Sequence, residues 1–137
     1  MTDEVIKAAA ITMLERAYVP YSHFPVGAAL ECKDGTVFTG CNVENASYPA
    51  GICAERNAIA HAVAEGRRQF RRIVIAGKGV DFCVPCGISR QVMREFCDPD
   101  SFLILMGRDG EILAERTLSE LLPMSFGPDD LKGRNIL

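Results

Sequence analysis

The stretch of sequence that decides the fold is VGAALECKDGTVFTGCN, residues 26–42. Two runs rich in apolar residues, at 26–32 and 36–42, flank a short polar segment that contains Asp34 and Gly35. An Asp-Gly pair favours a tight turn because glycine adopts positive φ angles without steric cost. The stretch therefore predicts a β-hairpin, whose two strands must be antiparallel.

Helical and strand patterns alternate on either side of this hairpin. Residues 3–17 carry apolar side chains at helical spacing, and Pro20 disfavours a continuation of that helix. The later sequence predicts a helix, a strand, a second helix, a second hairpin and a last helix that starts with a Thr117–Glu120 capping box. Their predicted ranges are 52–65, 72–76, 86–97, 102–106 with 111–115, and 117–122.

This order of elements predicts the fold class. Strand–helix–strand connections favour parallel neighbours and hairpins require antiparallel ones, so we expect an α/β fold with a mixed five-stranded sheet. Helices should flank the sheet and make three layers, and the 86–97 helix should bury a face of Ile88, Val92, Met93 and Phe96. The chain has no internal repeat or break in composition, which favours a single domain over residues 1–137.

Charge and composition exclude several classes of function. Fifteen Lys and Arg against eighteen Asp and Glu leave a formal charge of −3, so the chain brings no surplus cation to phosphate. We therefore expect neither nucleic-acid nor membrane binding, and we interpret the basic run at 67–72 as a solvated turn. No apolar run is long enough to span a bilayer, and the N-terminus lacks the pattern of a signal peptide. These features predict a cytoplasmic protein with reduced thiols.

Two of the six cysteines stand where a helix is predicted to begin. Cys53 lies at the start of the helix predicted at 52–65, and Cys86 starts the helix predicted at 86–97. Free amides and the helix dipole favour thiolates at such positions, and two facing thiolates make half of a zinc site. Glu55 would lie beside that metal as a carboxylate that carries protons. The other reading, that both thiols are buried fillers, is disfavoured by Glu55 and the motifs around it.

Several motifs in the right order resemble the small cytidine deaminases over nearly the whole chain. The central pair is Cys53-Ala54-Glu55 followed later by Pro85-Cys86, which matches the ligand, proton-carrier and ligand pattern of zinc deaminases. The other matching stretches are FPVGAA at 24–29, GCNVENASY at 40–48, RQV at 90–92, and ELLP at 120–123 followed by Phe126.

The resemblance implies a zinc-dependent active site. Cys53 and Cys86 would ligate Zn²⁺, and Arg56 would donate hydrogen bonds to the ligand thiolates. Glu55 would be the catalytic residue, moving protons between water, the pyrimidine ring nitrogen and the departing amine.

The resemblance also implies contacts to a nucleoside. Asn42 and Glu44 would bind the ribose hydroxyls, Phe24 would stack on the base, and the Ala54 backbone would contact the polar edge of the base. The expected reaction is the hydrolysis of cytidine or deoxycytidine to uridine or deoxyuridine with release of ammonia, a step of pyrimidine salvage. Because Asn42 and Glu44 would bind a ribose, the resemblance favours a nucleoside over a bare base. A polynucleotide is disfavoured because the short acidic chain has no evident groove for a strand.

The small enzymes of this family are homotetramers, so the resemblance implies self-association. Tyr48 and Phe126 would approach the pocket of a neighbouring subunit. A domain of this size also has limited walls with which to enclose a nucleoside, which agrees with shared active sites.

Ser89 departs from the family pattern, which has a third cysteine ligand at this position. A neutral serine hydroxyl is a weak zinc donor, so the third donor is left open between Ser89, a water molecule and Cys83. The departure also supports an alternative function, a catalytically impaired protein of the same fold that binds nucleosides.

Overall fold

The stretch at 26–42 forms the predicted hairpin. Strand β1 spans Val26–Cys32 and pairs antiparallel with β2, Val37–Cys41, through a turn in which Gly35 has a φ of 89°. That angle lies in the left-handed region that glycine adopts without strain. The computed structural model describes residues 2–78 and 83–132.

The remaining strands complete a five-stranded sheet. Strands β3 (Phe70–Gly77), β4 (Leu103–Arg108) and β5 (Glu111–Thr117) follow in chain order, and the spatial order is β2-β1-β3-β4-β5. The β3–β4 pair is parallel and the β1–β3 and β4–β5 pairs are antiparallel. The predicted mixed sheet, with an antiparallel pair at each hairpin, is confirmed.

Five α-helices accompany the sheet in the described part of the chain. They are α1 (Asp3–Thr12), α2 (Ala54–Ala64), α3 (Gly87–Phe96), α4 (Leu118–Leu121) and α5 (Pro128–Lys132). The first helix is shorter than predicted because it tightens into a 3₁₀ turn at Met13–Glu15, and α5 is not predicted by the sequence. Among the described residues, no helix combines the length and the apolar character that a membrane crossing requires.

The helices lie on both faces of the sheet and make three layers. Ile6 and Ala10 of α1 pack with Ala29 and Val74 on one face. Helices α2 and α3 pack on the opposite face in a larger core. Because both faces are covered, every residue of β1 is buried. The predicted three-layer arrangement is confirmed.

One close approach positions the start of α2 over the sheet. A Cβ added to Gly40 of β2 would lie 2.5 Å from both the Ala54 oxygen and the Ala58 nitrogen. Asn57 fastens the same contact, since its Nδ2 donates to the Cys41 oxygen at 2.7 Å. The first turn of α2, which carries several predicted site residues, is therefore held directly against β2.

Helix α3 turns a different face inward from the predicted one. Met93 is buried and Val92 and Phe96 pack at the edge of the core, but Ile88 is 63% exposed. Ser89 is buried instead, because residues four apart share a helix face and Ser89 lies under the same face as Met93. The prediction for Ile88 is wrong, and its position is taken by a polar residue.

Candidate active site

The structure brings the two predicted metal ligands together. Cys53 is the N-cap of α2 and Cys86 is the N-cap of α3, and their Sγ atoms lie 3.6 Å apart. Both thiols therefore stand at helix ends whose first amides have no partner within the helix. All six cysteines lie within the described residues, and each is a free thiol.

Ser89 lies beside this pair of thiols. Its side chain is fully buried, and its Oγ is 3.4 Å from the Cys86 Sγ, one turn into α3. Tetrahedral zinc with typical bond lengths would separate two sulfur ligands by about 3.8 Å and a sulfur from an oxygen by about 3.6 Å. The Cys53–Cys86 and Cys86–Ser89 spacings are close to these values, so these two pairs fit neighbouring corners of a zinc tetrahedron.

The two pairs are spaced as zinc ligands, but the three side chains include only two strong zinc donors. Two thiolates and a neutral hydroxyl supply only two strong zinc donors. In the described part of the chain, no three His, Cys, Asp or Glu side chains are arranged to hold a metal ion. Zinc would therefore be held by Cys53 and Cys86, and Ser89 would lie at the third ligand position.

Burial and hydrogen bonding act differently on the two thiols. Burial raises the pKa of Cys53, although the hydrogen bond from Arg56 opposes that rise. Burial also acts to raise the pKa of Cys86, but hydrogen bonding with Ser89, Cys53 and the Ile88 backbone together lowers the pKa overall. The Arg56 Nη2 lies 3.6 Å from the Cys53 Sγ, so the Arg56 guanidinium donates to the more buried of the two thiols.

Glu55 has the environment of a proton carrier. Its side chain is 3% exposed in the first turn of α2, and its Oε2 has no hydrogen-bond partner among the described residues. Burial raises the pKa of this carboxyl above its usual value, with a smaller opposing effect from hydrogen bonding and the Arg56 charge. A carboxyl with an open oxygen and a raised pKa can accept a proton and return it.

Cys83 contacts the ends of β3 and β4. Its backbone N–H donates to the Gly107 oxygen at 3.2 Å, and its Sγ is 3.7 Å from where a Cβ on Gly77 would be. Burial raises the pKa of Cys83 to about 12, with further contributions from the Glu55 and Cys53 charges. This thiol is protonated at neutral pH and packs against the end of β3.

The predicted ribose-binding residues are engaged with a neighbouring loop. Asn42 accepts from the Val26 N–H and donates to the Phe24 oxygen, both at 2.9 Å. Glu44 accepts from the N–H groups of Tyr21 and Ser22, each at 3.1 Å. Hydrogen bonds from Ser22 are the main reason why the pKa of Glu44 is lowered. Both side chains therefore shape residues 21–26 and hold the exposed Phe24 ring near the site.

A cavity of about 390 Å³ lies beside these residues. Its size falls in the usual range for a small-molecule pocket. Tyr21 and Tyr48 meet edge to face at a centroid distance of 6.4 Å, and Tyr48 is 77% exposed. Six described residues line the cavity: Tyr21, Ser22, Glu44, Asn45, Tyr48 and Gly51. Sequence reasoning assigned no role to Tyr21, Ser22, Asn45 or Gly51, although all four lie within three residues of Phe24, Glu44 or Tyr48.

The C-terminal segment is fastened to α3. The Gln91 Nε2 donates to the Phe126 oxygen at 2.9 Å, and the Arg94 Nε donates to the Ser125 Oγ at 2.9 Å. The Phe126 side chain is 55% exposed, so the structure of one chain brings it to the surface.

Sequence reasoning missed the role of Arg90. Its Nε donates to the Pro85 oxygen at 2.8 Å and its Nη1 to the Leu121 oxygen at 2.7 Å. These bonds fix the residue before Cys86 to the α4 end of the molecule. A signal for this role was present, because Arg90 stands one turn after Cys86 in a motif already singled out.

Comparisons with known proteins identify the family of the chain. A family model described as the cytidine and deoxycytidylate deaminase zinc-binding region matches residues 1–105. The cytidine deaminase of Halalkalibacterium halodurans is 46% identical over 131 residues, which cover 96% of this chain and 98% of that protein. The cytidine deaminase of Sporosarcina psychrophila is 45% identical over 117 residues, which cover 85% of each chain.

Solved structures show the same likeness. The crystal structure of cytidine deaminase from Burkholderia pseudomallei superposes with a TM-score of 0.87 at 42% identity, covering 92% of this chain and 100% of the other. The cytidine deaminase from Mycobacterium tuberculosis superposes with a TM-score of 0.81 at 35% identity, covering 93% and 99%.

The fold and these likenesses define an enzyme of the hydrolytic deaminase class. The chain belongs to the cytidine and deoxycytidylate deaminase family, and the matched region is the zinc-binding region of that family. The resemblance indicated by the motifs at 53–55 and 85–86 is therefore confirmed.

Proposed function

We propose that the chain converts free cytidine and deoxycytidine, with water, into uridine and deoxyuridine and ammonia. The observation that carries this proposal is Glu55, a buried carboxyl with an open oxygen, beside two thiols at zinc-ligand spacing. Zinc held by Cys53 and Cys86 would supply Lewis-acid chemistry that makes a water molecule reactive near neutral pH.

Glu55 moves the protons of the reaction. It takes a proton from the attacking water, gives one to the ring nitrogen, and later assists the departure of the amine as ammonia. The raised pKa suits this use, because the carboxyl can hold the transferred proton in the interval between the two steps.

The substrate is a nucleoside in this proposal. Phe24, half-exposed at the end of its loop, supplies a ring face for the base, and the Ala54 backbone at the start of α2 meets the polar edge of the base. Glu44 lines the 390 Å³ cavity, and Asn42 holds the loop that carries Phe24. The two residues then present polar groups to a ribose.

The proposed assembly is a cytoplasmic homotetramer with shared active sites. Tyr48, Phe126 and Tyr21 are large aromatic side chains that one chain leaves about half or more exposed. Aromatic residues are enriched at protein interfaces, so a second copy covering them would also complete the wall of the cavity. Light scattering at micromolar concentration should give the mass of four chains, and a monomer with full activity would exclude shared sites.

Glu55→Gln tests the proposed reaction. The amide keeps the shape of the side chain but cannot accept and return a proton, so ammonia release from cytidine should fall about a hundred- to ten-thousandfold. Uridine binding, measured by calorimetry, should change little. The matched control is Glu65→Gln at the exposed opposite end of the same helix, which should keep full activity.

Ser89 favours a second candidate function, a nucleoside-binding protein with impaired turnover. That reading predicts cytidine binding without measurable ammonia release by the zinc-loaded native chain. Measurable ammonia release by this protein, lost in Glu55→Gln, would exclude the second candidate.

A further inference from the structure

Because Ser89 stands where the family has a cysteine, the third protein ligand of the metal has to be identified. The identity of that ligand rests on the proposed zinc-dependent function. Ser89 is fully buried and polar, and its Oγ lies 3.4 Å from the Cys86 Sγ. The Cys86 Sγ lies in turn 3.6 Å from the Cys53 Sγ. The hydroxyl therefore lies beside the pair of thiols proposed as ligands.

The alternative donor, Cys83, is held by contacts at the ends of β3 and β4. Its backbone is tied to Gly107, and its Cβ would be 3.1 Å from a Cβ on Gly77. Within the described residues, Cys83 does not join Cys53 and Cys86 in a group able to hold a metal ion. To become a ligand, Cys83 would have to leave the end of β3, and the buried Pro85 between it and Cys86 restricts that movement.

We propose that the Ser89 Oγ is the third protein ligand of the metal, bound as a neutral hydroxyl. The centre then holds two thiolates and one hydroxyl, at the corner spacings that the structure already shows. Two thiolates balance the two charges of zinc, whereas a third thiolate would leave the centre at −1. The Arg56 Nη2 lies 3.6 Å from the Cys53 Sγ. Including its positive charge, the net charge of the centre is +1 with two thiolates, whereas it would be zero with three.

This donor set changes which metals the site prefers. Replacing a soft thiolate with a hard oxygen weakens the hold on soft and borderline ions and reduces the gap between zinc and harder ions. The native chain should therefore release zinc to a mild chelator more readily than the Ser89→Cys variant does.

Cobalt(II) gives a direct count of the thiolates. Cobalt occupies tetrahedral zinc sites, and its sulfur-to-metal charge-transfer absorption grows with the number of coordinating thiolates. Metal-free native protein titrated with cobalt should show the absorption of two thiolates, and Ser89→Cys should raise it by about half. Ser89→Ala should keep the two-thiolate absorption but weaken cobalt binding about tenfold.

Cys83→Ala and Cys97→Ala are the matched pair that tests the competing donor. Both remove a thiol of high pKa, and only Cys83 is near the site. Neither substitution should change the cobalt absorption. A loss of about a third of that absorption in Cys83→Ala alone would make Cys83 a third thiolate ligand and overturn the proposal.

The cobalt binding of Ser89→Ala distinguishes Ser89 from water as the third ligand. If Ser89→Ala binds cobalt with the native affinity and spectrum, water occupies the third position and the proposal is wrong. Thermal unfolding of each metal-free variant checks that it is folded, and Ser89→Cys provides a second test if Ser89→Ala is not. Because these readouts need no substrate, absent ammonia release together with the expected spectra would reject only the proposed reaction.

Discussion

The starts of α2 and α3 are built alike but lie in different surroundings. Each helix has a cysteine as its N-cap and brings it to the same point in space. The α2 start is enclosed by β2, with Ala54 and Glu55 buried, whereas Cys86 and the two residues after it are exposed. The comparison teaches that a cysteine N-cap supplies the thiol at each helix start. The packing around the helix start then decides the pKa of that thiol and its exposure to solvent.

The strongest test of the comparison removes each thiol in turn. Cys53→Ala and Cys86→Ala should each lower zinc affinity by at least about a hundredfold, because each leaves a single thiolate donor. Competition with a chromophoric chelator measures the affinity. Cys41→Ala, which changes a half-buried thiol away from the pair, is the control. Zinc binding that depends on only one of the two helix starts would break the comparison.

Glycine substitutions probe the difference in packing. Gly40→Ala should destabilise the protein by about 1–3 kcal/mol, because the new methyl group would meet the α2 backbone at 2.5 Å. Gly87→Ala, at the first residue of α3, meets nothing within 4 Å and should be neutral or stabilising by up to about 1 kcal/mol. Urea unfolding measures both. Equal effects would show that the two helix starts are packed alike.

The arginines beside the two cysteines should also differ. Arg90→Gln removes two short bonds to the Pro85 and Leu121 oxygens and should cost about 1–3 kcal/mol, measured by thermal unfolding of the metal-free protein. Arg56→Gln removes only a long contact to Cys53 and should cost less. A larger loss for Arg56→Gln would mean that the α2 start, and not the α3 start, depends on its arginine.

The smallest expected effect concerns thiol reactivity. In the metal-free protein, iodoacetamide should modify Cys86 up to about tenfold faster than Cys53, because Cys86 is exposed and its pKa is lowered while that of Cys53 is raised. Peptide mapping after short exposures gives the two rates. The difference should shrink as the pH rises, since both thiols then become thiolates. Faster modification of Cys53 would reverse the order of accessibility.

Local patterns were sufficient to predict the elements themselves. Strand β1 has the predicted bounds, Thr117 and Glu120 form the predicted capping box, and Gly35 makes the predicted turn. Each of these features depends on neighbouring residues alone, through turn chemistry, apolar spacing or a cap.

Three features were not predicted, one because of tertiary contacts and two for local reasons. The inward position of Ser89 in place of Ile88 follows from how α3 lies on the sheet, and the end of α1 at Thr12 follows from a local tightening of the chain. Helix α5 is only five residues long, too short to show a clear apolar period.

The sequence by itself determined the class of fold, the family, and the two helix starts at which thiols stand. Only the tertiary structure decided that Cys53 and Cys86 lie 3.6 Å apart and that Glu55 keeps a buried oxygen without a hydrogen-bond partner among the described residues. It also decided that the buried Ser89 Oγ lies 3.4 Å from the Cys86 Sγ. The reason is physical: helix and turn signals act over a few residues, whereas the thiols are 33 residues apart. Their separation is set by the close approach of α2 to β2 and by the packing of both helices on one face of the sheet.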